Sequence, residues 1–140
     1  MTSYEVIYNR FAQKVTDYDL SMLSEGDLAA TLFGYLISAI SKFKKCKNDL
    51  SDRDDEALEF NVDLLDSEIE ILALMMVVEW IEPQLNSSLI TSQFFGGKDE
   101  KFFAQSNQLE KLMALKDSTA KTARKLIRNY TYLNSEYLSE

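Results

Sequence analysis

Glu79 and Glu82 flank Trp80 at helical spacing and are the best-placed carboxylate pair in the chain for acid-base work. The case for catalysis stops there. Glu82 adjoins Pro83, no oxyanion donor is nearby in sequence, and acids three apart on a helix usually mark its solvent stripe. The chain has no histidine and one cysteine, Cys46. A disulfide within the chain, a Cys/His zinc site and any Ser-His or Cys-His nucleophilic pair are therefore excluded. Cys46 lies among Lys44, Lys45 and Lys47, which would lower its pKa and raise its reactivity if it is exposed. With no resolving partner, an incidental thiol is the expected reading.

Two binding motifs are approached and missed. Asp52-x-Asp54-x-Glu56 has the alternating oxygen ligands of an EF-hand, but Ala57 stands where the loop needs glycine and Asp63 where it needs a bidentate Glu. Gly96-Gly97-Lys98 lacks the first glycine of a phosphate loop, and Asp99 follows the lysine. No metal and no cofactor is expected, and the chain is not expected to be an enzyme.

Of the 140 residues 46% are apolar and 27% charged, the profile of a single soluble globular domain spanning 1–140. The net charge of -8 argues against a protein that holds nucleic acid by neutralising phosphates. Residues 1–70 hold 7 basic and 15 acidic side chains while residues 71–140 hold 8 of each, so the whole excess sits in the first half. The sharpest acidic stretch runs from Asp49 to Asp66, with Arg53 its only base. Such a run is ordinarily a solvated loop or face, and its functional reading is repulsion of a nearby polyanion. The opening Met1–Val6 lacks the charged flank and apolar stretch of a signal peptide, and the longest apolar run, Ile71–Val78, is too short to span a bilayer. The expectation is synthesis and assembly in the cytoplasm, where the glycosylation patterns at Asn86 and Asn129 carry no meaning.

One proline, four glycines and helical apolar spacing nearly throughout predict an all-α bundle of about four helices. Thr2 and Glu5 form a capping-box pattern ahead of Tyr4, Ile7, Tyr8, Phe11 and Val15. Ser24 with Asp27 caps a second helix to about Lys45, its stripe drawn by Leu28, Leu32, Tyr35, Leu36, Ala39, Ile40 and Phe43. Lys42, Lys44, Lys45 and Lys47 suit the negative pole at its end. Asp66 is read as the N-cap of a third helix, Ser67–Glu82, apolar on almost every face and hence central or shared with another subunit. Pro83 should kink or stop it, and Gln84–Gln93 are placed to resume it. Residues 93–103 read as a short hairpin or ordered loop, with Phe94, Phe95, Phe102 and Phe103 flanking Gly96-Gly97. In a strand, each Phe pair sends one ring inward and one toward a partner; packing of all four rings on their own domain is equally open. Asn107 and Glu110 suggest the cap of a long C-terminal helix ending near Asn134. Lys121, Arg124, Lys125 and Arg128 form a basic face on it, explained by helix-end compensation or by a dock for an acidic neighbour. Tyr130, Tyr132 and Tyr137 crowd a terminus that should fray, the mark of a segment ordered by binding.

From Ile71-Leu-Ala-Leu-Met-Met-Val-Val-Glu-Trp-Ile-Glu-Pro-Gln-Leu85, through Gln93-Phe-Phe-Gly-Gly-Lys98, to Phe103-Ala-Gln-Ser-Asn107, the chain resembles the head-tail connector, or adaptor, proteins of tailed phages. The likeness is one of layout over nearly the whole length. It implies a structural virion protein that joins copies of itself beneath the portal in a ring, usually twelve-fold, and extends the channel through which DNA leaves the capsid. The implied partners are the chain itself, the portal and the next neck or tail-completion protein, with DNA passing unbound and no membrane. The implied setting is the virion neck, after assembly in the host cytoplasm. By position, the tail 131–140 with Tyr130, Tyr132 and Tyr137 would dock into the portal, and the loop with Phe94, Phe95, Gly96, Gly97, Phe102 and Phe103 would meet a neighbouring subunit. Asp52, Asp54, Asp55 and Glu56 would face the channel, since an acidic lumen repels phosphate. The alternative, from another class, is a small acidic regulator that binds a protein through a helical surface.

Overall fold

Ser3, not Thr2, opens the first helix: its hydroxyl accepts from the Glu5 amide at 3.3 Å, and its extended backbone turns the chain into Tyr4–Ala12. Thr2 is drawn into a strand, where its hydroxyl donates to the Val62 carbonyl and accepts from the Leu64 amide. The computed structural model describes residues 1–15, 18–95 and 100–133, with the backbone alone at 18, 19, 88–95, 100–106 and 108. In order the elements are β1 (Thr2–Ser3), α1 (Tyr4–Ala12), α2 (Tyr18–Ser21), α3 (Glu25–Lys42), β2 (Arg53–Asp54), β3 (Glu59–Phe60), α4 (Asp66–Phe95) and α5 (Glu100–Leu133). The fold is thus largely all-α, with four substantial helices, as expected, plus a small sheet.

The Ser24 cap stands as read, its hydroxyl accepting from the Asp27 amide at 3.2 Å. Asp66 is instead the first helical residue of α4. Leu65 occupies the cap position, its carbonyl accepting from Ile69 and its amide donating to the Glu68 side chain. Only the acidic half of a capping box is present, which is why the pattern escapes a search for Ser or Thr.

Helix α4 is the hub, with α1, α3 and α5 packed around it. Ile71, Leu72, Ala73, Met76 and Ile81 are fully buried, with Val77, Trp80 and Leu85 nearly so. The chain's own helices therefore cover most of the apolar surface that suggested a second subunit. Tyr4, Ile7 and Phe11 bury one face of α1, and Leu36, Ala39 and Phe43 one face of α3 and its end. Each large side chain buried this way contributes roughly 1.5–3 kcal/mol.

Pro83 does not stop α4, which continues to Phe95. The ring removes the donor that the Glu79 carbonyl would use, and beside it the Gln84 side chain donates to the Trp80 carbonyl at 3.2 Å. Helices α4 and α5 run antiparallel in matched register. Tyr130 meets Glu68 and Lys116 meets Glu82, fourteen residues along each helix, or two heptads.

The two helices correct the reading of 93–103 as a short hairpin or ordered loop at its flanks, 93–95 and 100–103, which are helical. Phe94 and Phe95 end α4, Phe102 and Phe103 lie in the first turn of α5, and Gly96 and Gly97 fall outside the described residues. Asn107 is likewise not a cap, since α5 begins at Glu100. The strands lie elsewhere: β3 is central, antiparallel to β1 through Thr2–Phe60 and Ser3–Glu59, and to β2 through Arg53–Phe60 and Asp54–Glu59. The acidic stretch is thus a folded hairpin.

Candidate functional site

Three places on the molecule concentrate charge or buried polar groups: a carboxylate under the hairpin, the hairpin itself, and a groove beside the second half of α5. The first holds the fold together. Glu68 sits at the start of α4 and is fully buried. Its Oε1 accepts from the Leu65 amide and from Asn48 Nδ2, both at 2.7 Å, and its Oε2 from Tyr130 Oη at 2.6 Å and Cys46 Sγ at 3.2 Å. Burial pushes the carboxyl upward, but the bonds from Tyr130, Leu65, Cys46 and Asn48 outweigh it and hold the group below its usual 4.5. The Tyr130 hydroxyl also accepts from the Lys47 amide at 2.6 Å, so one tyrosine ties α5 to α4 and to the loop after α3.

This arrangement revises two expectations. Tyr130 is 3% exposed and stacks edge-on against Phe43, so it is committed to its own domain rather than to a portal. The Cys46 thiol is pushed up to about 12 by burial and then by its bond to Glu68, the reverse of what the neighbouring lysines suggested. Glu68 and Asn48 were not singled out from sequence, and Lys47 was read only as one of the lysines around Cys46 at the end of the second helix. The available signal was that Glu68, Leu72 and Met76 share one helix face four residues apart, with the other two buried.

The hairpin presents Asp52, Asp54, Asp55 and Glu56, all exposed. Its backbone is held by those same acids. Asp54 Oδ1 accepts from the Glu56 and Ala57 amides at 2.9 and 3.0 Å, and Asp52 accepts from Asn61 Nδ2 at 2.9 Å. Asp55 accepts from Tyr4 Oη at 2.6 Å and from Arg53 at 3.1 Å, and these contacts hold its carboxyl below the usual range. The turn closes at Leu58, whose φ of 58° lies in the left-handed region that glycine or asparagine takes at lower cost.

The carboxylates first considered for catalysis are both engaged by lysines. Glu79 pairs with Lys42, a contact that raises the lysine's pKa, and Glu82 lies 3.5 Å from Lys116. Among the described residues no cluster of acids and Cys46 is arranged to hold a metal ion, and no helix is long and apolar enough to cross a membrane. Tyr132 is 67% exposed, and Tyr137 lies outside the described residues. The side chains of Phe94, Phe95, Phe102 and Phe103 also lie outside them.

The groove is the third place. Lys45, Arg124, Ile127, Arg128, Thr131 and Tyr132 line an open hollow of about 500 Å³. Lys121 and Lys125 are exposed on the same helix. Sequence had marked the basic face of α5; what it could not show is that Lys45, from the loop after α3, completes it. Among the described residues Lys45, Arg124 and Arg128 enter no ion pair. No protein-family model, curated protein or solved structure matches the chain.

Proposed function

We propose that the chain is a structural component of a tailed-phage neck, a ring subunit beneath the portal that extends the DNA channel and joins head to tail. The observation that carries this reading is the hairpin. Four exposed acids, Asp52, Asp54, Asp55 and Glu56, sit on a turn braced by hydrogen bonds and by contact with α1. A rigid acidic edge repels a passing phosphate backbone at short range, which favours sliding over sticking. The resemblance around Ile71–Leu85 and Gln93–Asn107 supports the same reading. The apolar character of α4 no longer supports it, because α1, α3 and α5 account for that surface. The test is composition: purified particles should contain the chain in a fixed ratio to portal, and its absence from mature particles would end this reading.

The same hairpin favours one alternative, a small acidic regulator whose carboxylates occupy a nucleic-acid site on another protein. Competition between the chain and DNA for a shared enzyme separates the two.

A further inference from the structure

We propose that copies of this chain join head to tail through the two ends of α3, the corner Met22–Asp27 ahead of the helix in one copy seated in the hollow beside Lys42 of the next. The hollow, about 150 Å³, opens between α3 and α5, both of which pack on α4. Met75 and Val78 of α4 line it with Ala120 and Ile127 of α5, all four only half-buried. A space of that size admits a group as large as benzene, and methionine adapts to such irregular gaps. At Arg124 and Ile127 the hollow runs on into the groove of Lys45 and Arg128, so its rim is cationic, while Lys42 is held by Glu79.

The corner is the complement. Met22 is 69% exposed, with Leu23 38% exposed beside it, and the exposed Glu25 and Asp27 follow. Those two acids also suit the positive pole of α3, but that role does not account for an outward methionine next to them. An apolar centre with a charged rim on each side is the ordinary anatomy of a protein contact, and opposite rims guide the encounter. A nucleic-acid ligand for the cationic rim is disfavoured by the net charge of -8. Within one copy the two surfaces cannot meet, because the 18 residues of α3, about 27 Å of helix, hold Met22 away from Lys42. Each copy therefore offers one of each. Such a contact is heterologous: it closes into a ring if the rotation between copies allows and otherwise runs on as a filament. Neither surface includes the acidic hairpin or the tail, so Asp52, Asp54, Asp55 and Glu56 are left to the channel and Tyr132 to the portal.

The contact rests on the ring reading and gives the ring an interface. Analytical ultracentrifugation of the full chain tests it. The wild type should associate as its concentration rises toward about 1 mM, where even a weak contact is populated, and at least tenfold more weakly when salt goes from about 0.05 M to about 0.5 M. Met22→Glu should remain monomeric, as should Arg124→Glu with Arg128→Glu, and so should Ala120→Trp, which fills the hollow without changing its charge. A mixture of the Met22 variant with the double arginine variant should give a one-to-one pair and nothing larger, because only one intact corner and one intact hollow remain to meet. Lys45→Glu, on the loop after α3, is the substitute if the arginine variant loses its helical circular dichroism. A wild type that stays monomeric at low salt overturns the inference, as does association that survives these changes, a mixture that forms no pair or grows beyond one, or duplex DNA bound by the wild type and released by Arg128→Glu. A chain that enters phage particles yet stays monomeric alone would sink this contact and leave the neck reading standing; pair formation by a chain absent from particles would do the reverse.

Discussion

Tyr130 and Tyr8 carry the same hydroxyl into different surroundings. Tyr130 donates to Glu68 and accepts from Lys47, while the buried Tyr8 hydroxyl finds no partner among the described residues. Tyr130→Phe should therefore cost about 1–3 kcal/mol, and Tyr8→Phe should be neutral or slightly stabilising, both read from urea denaturation. Glu68 has a pH signature. Its folded pKa lies below 4.5, so the unfolded chain binds more protons than the folded one near that value. The stability it confers is fully present above about 4.5 and is lost as pH falls through the folded pKa. Glu68→Gln should consequently flatten the fall in stability between neutral and acidic pH, and an unchanged slope in the variant would refute the assignment. Cys46, raised to about 12 from 9.0, holds roughly a thousandfold less thiolate than a free cysteine, and its modification by a disulfide reagent near pH 8 should be slowed accordingly until the chain is denatured. None of these roles was legible beforehand, because each depends on residues more than twenty positions apart, such as Cys46 with Glu68 and Glu68 with Tyr130.

At the scale of elements, Gly34 lies within α3, exposed, and a methyl group built on it meets nothing within 4 Å. Gly34→Ala should add about 0.5–1 kcal/mol through helix propensity, a rise of a few degrees in Tm by calorimetry. The helices were legible for the same reason that this substitution is safe: α1 and α3 each bury one stripe and leave the rest to water, so their periodicity survives in the sequence. Helix α4 has no such stripe, and Pro83 and Gly96-Gly97 pointed to breaks. Packing on three neighbours carried it through the proline. Paired phenylalanines fit either period, so the helical character of 93–95 and 100–103 was not legible. The hairpin at 53–60 was hidden by the opposite problem. Its strands are two residues long, too short to alternate, and its turn is closed by Leu58 where a glycine would have announced it.

For the whole molecule, the charge asymmetry seen along the chain resolves into two surfaces, the acidic hairpin braced against α1 and the basic groove beside α5. The last buried anchor among the described residues is Tyr130, which lies near the end of α5. The neck reading assigns the tail 131–140 to the portal, and cutting that tail at Leu133 tests whether folding and docking are separable. A chain ending at Leu133 keeps Tyr130 on Glu68 and should melt at the full-length temperature, yet fail to enter particles. A chain ending at Asn129 loses the tyrosine, leaves a buried carboxylate short of a donor, and should melt several degrees lower or fail to fold. Calorimetry on the two truncations, paired with their incorporation into phage particles, decides the matter: a Leu133 chain that still enters particles shows that portal docking lies elsewhere on the subunit.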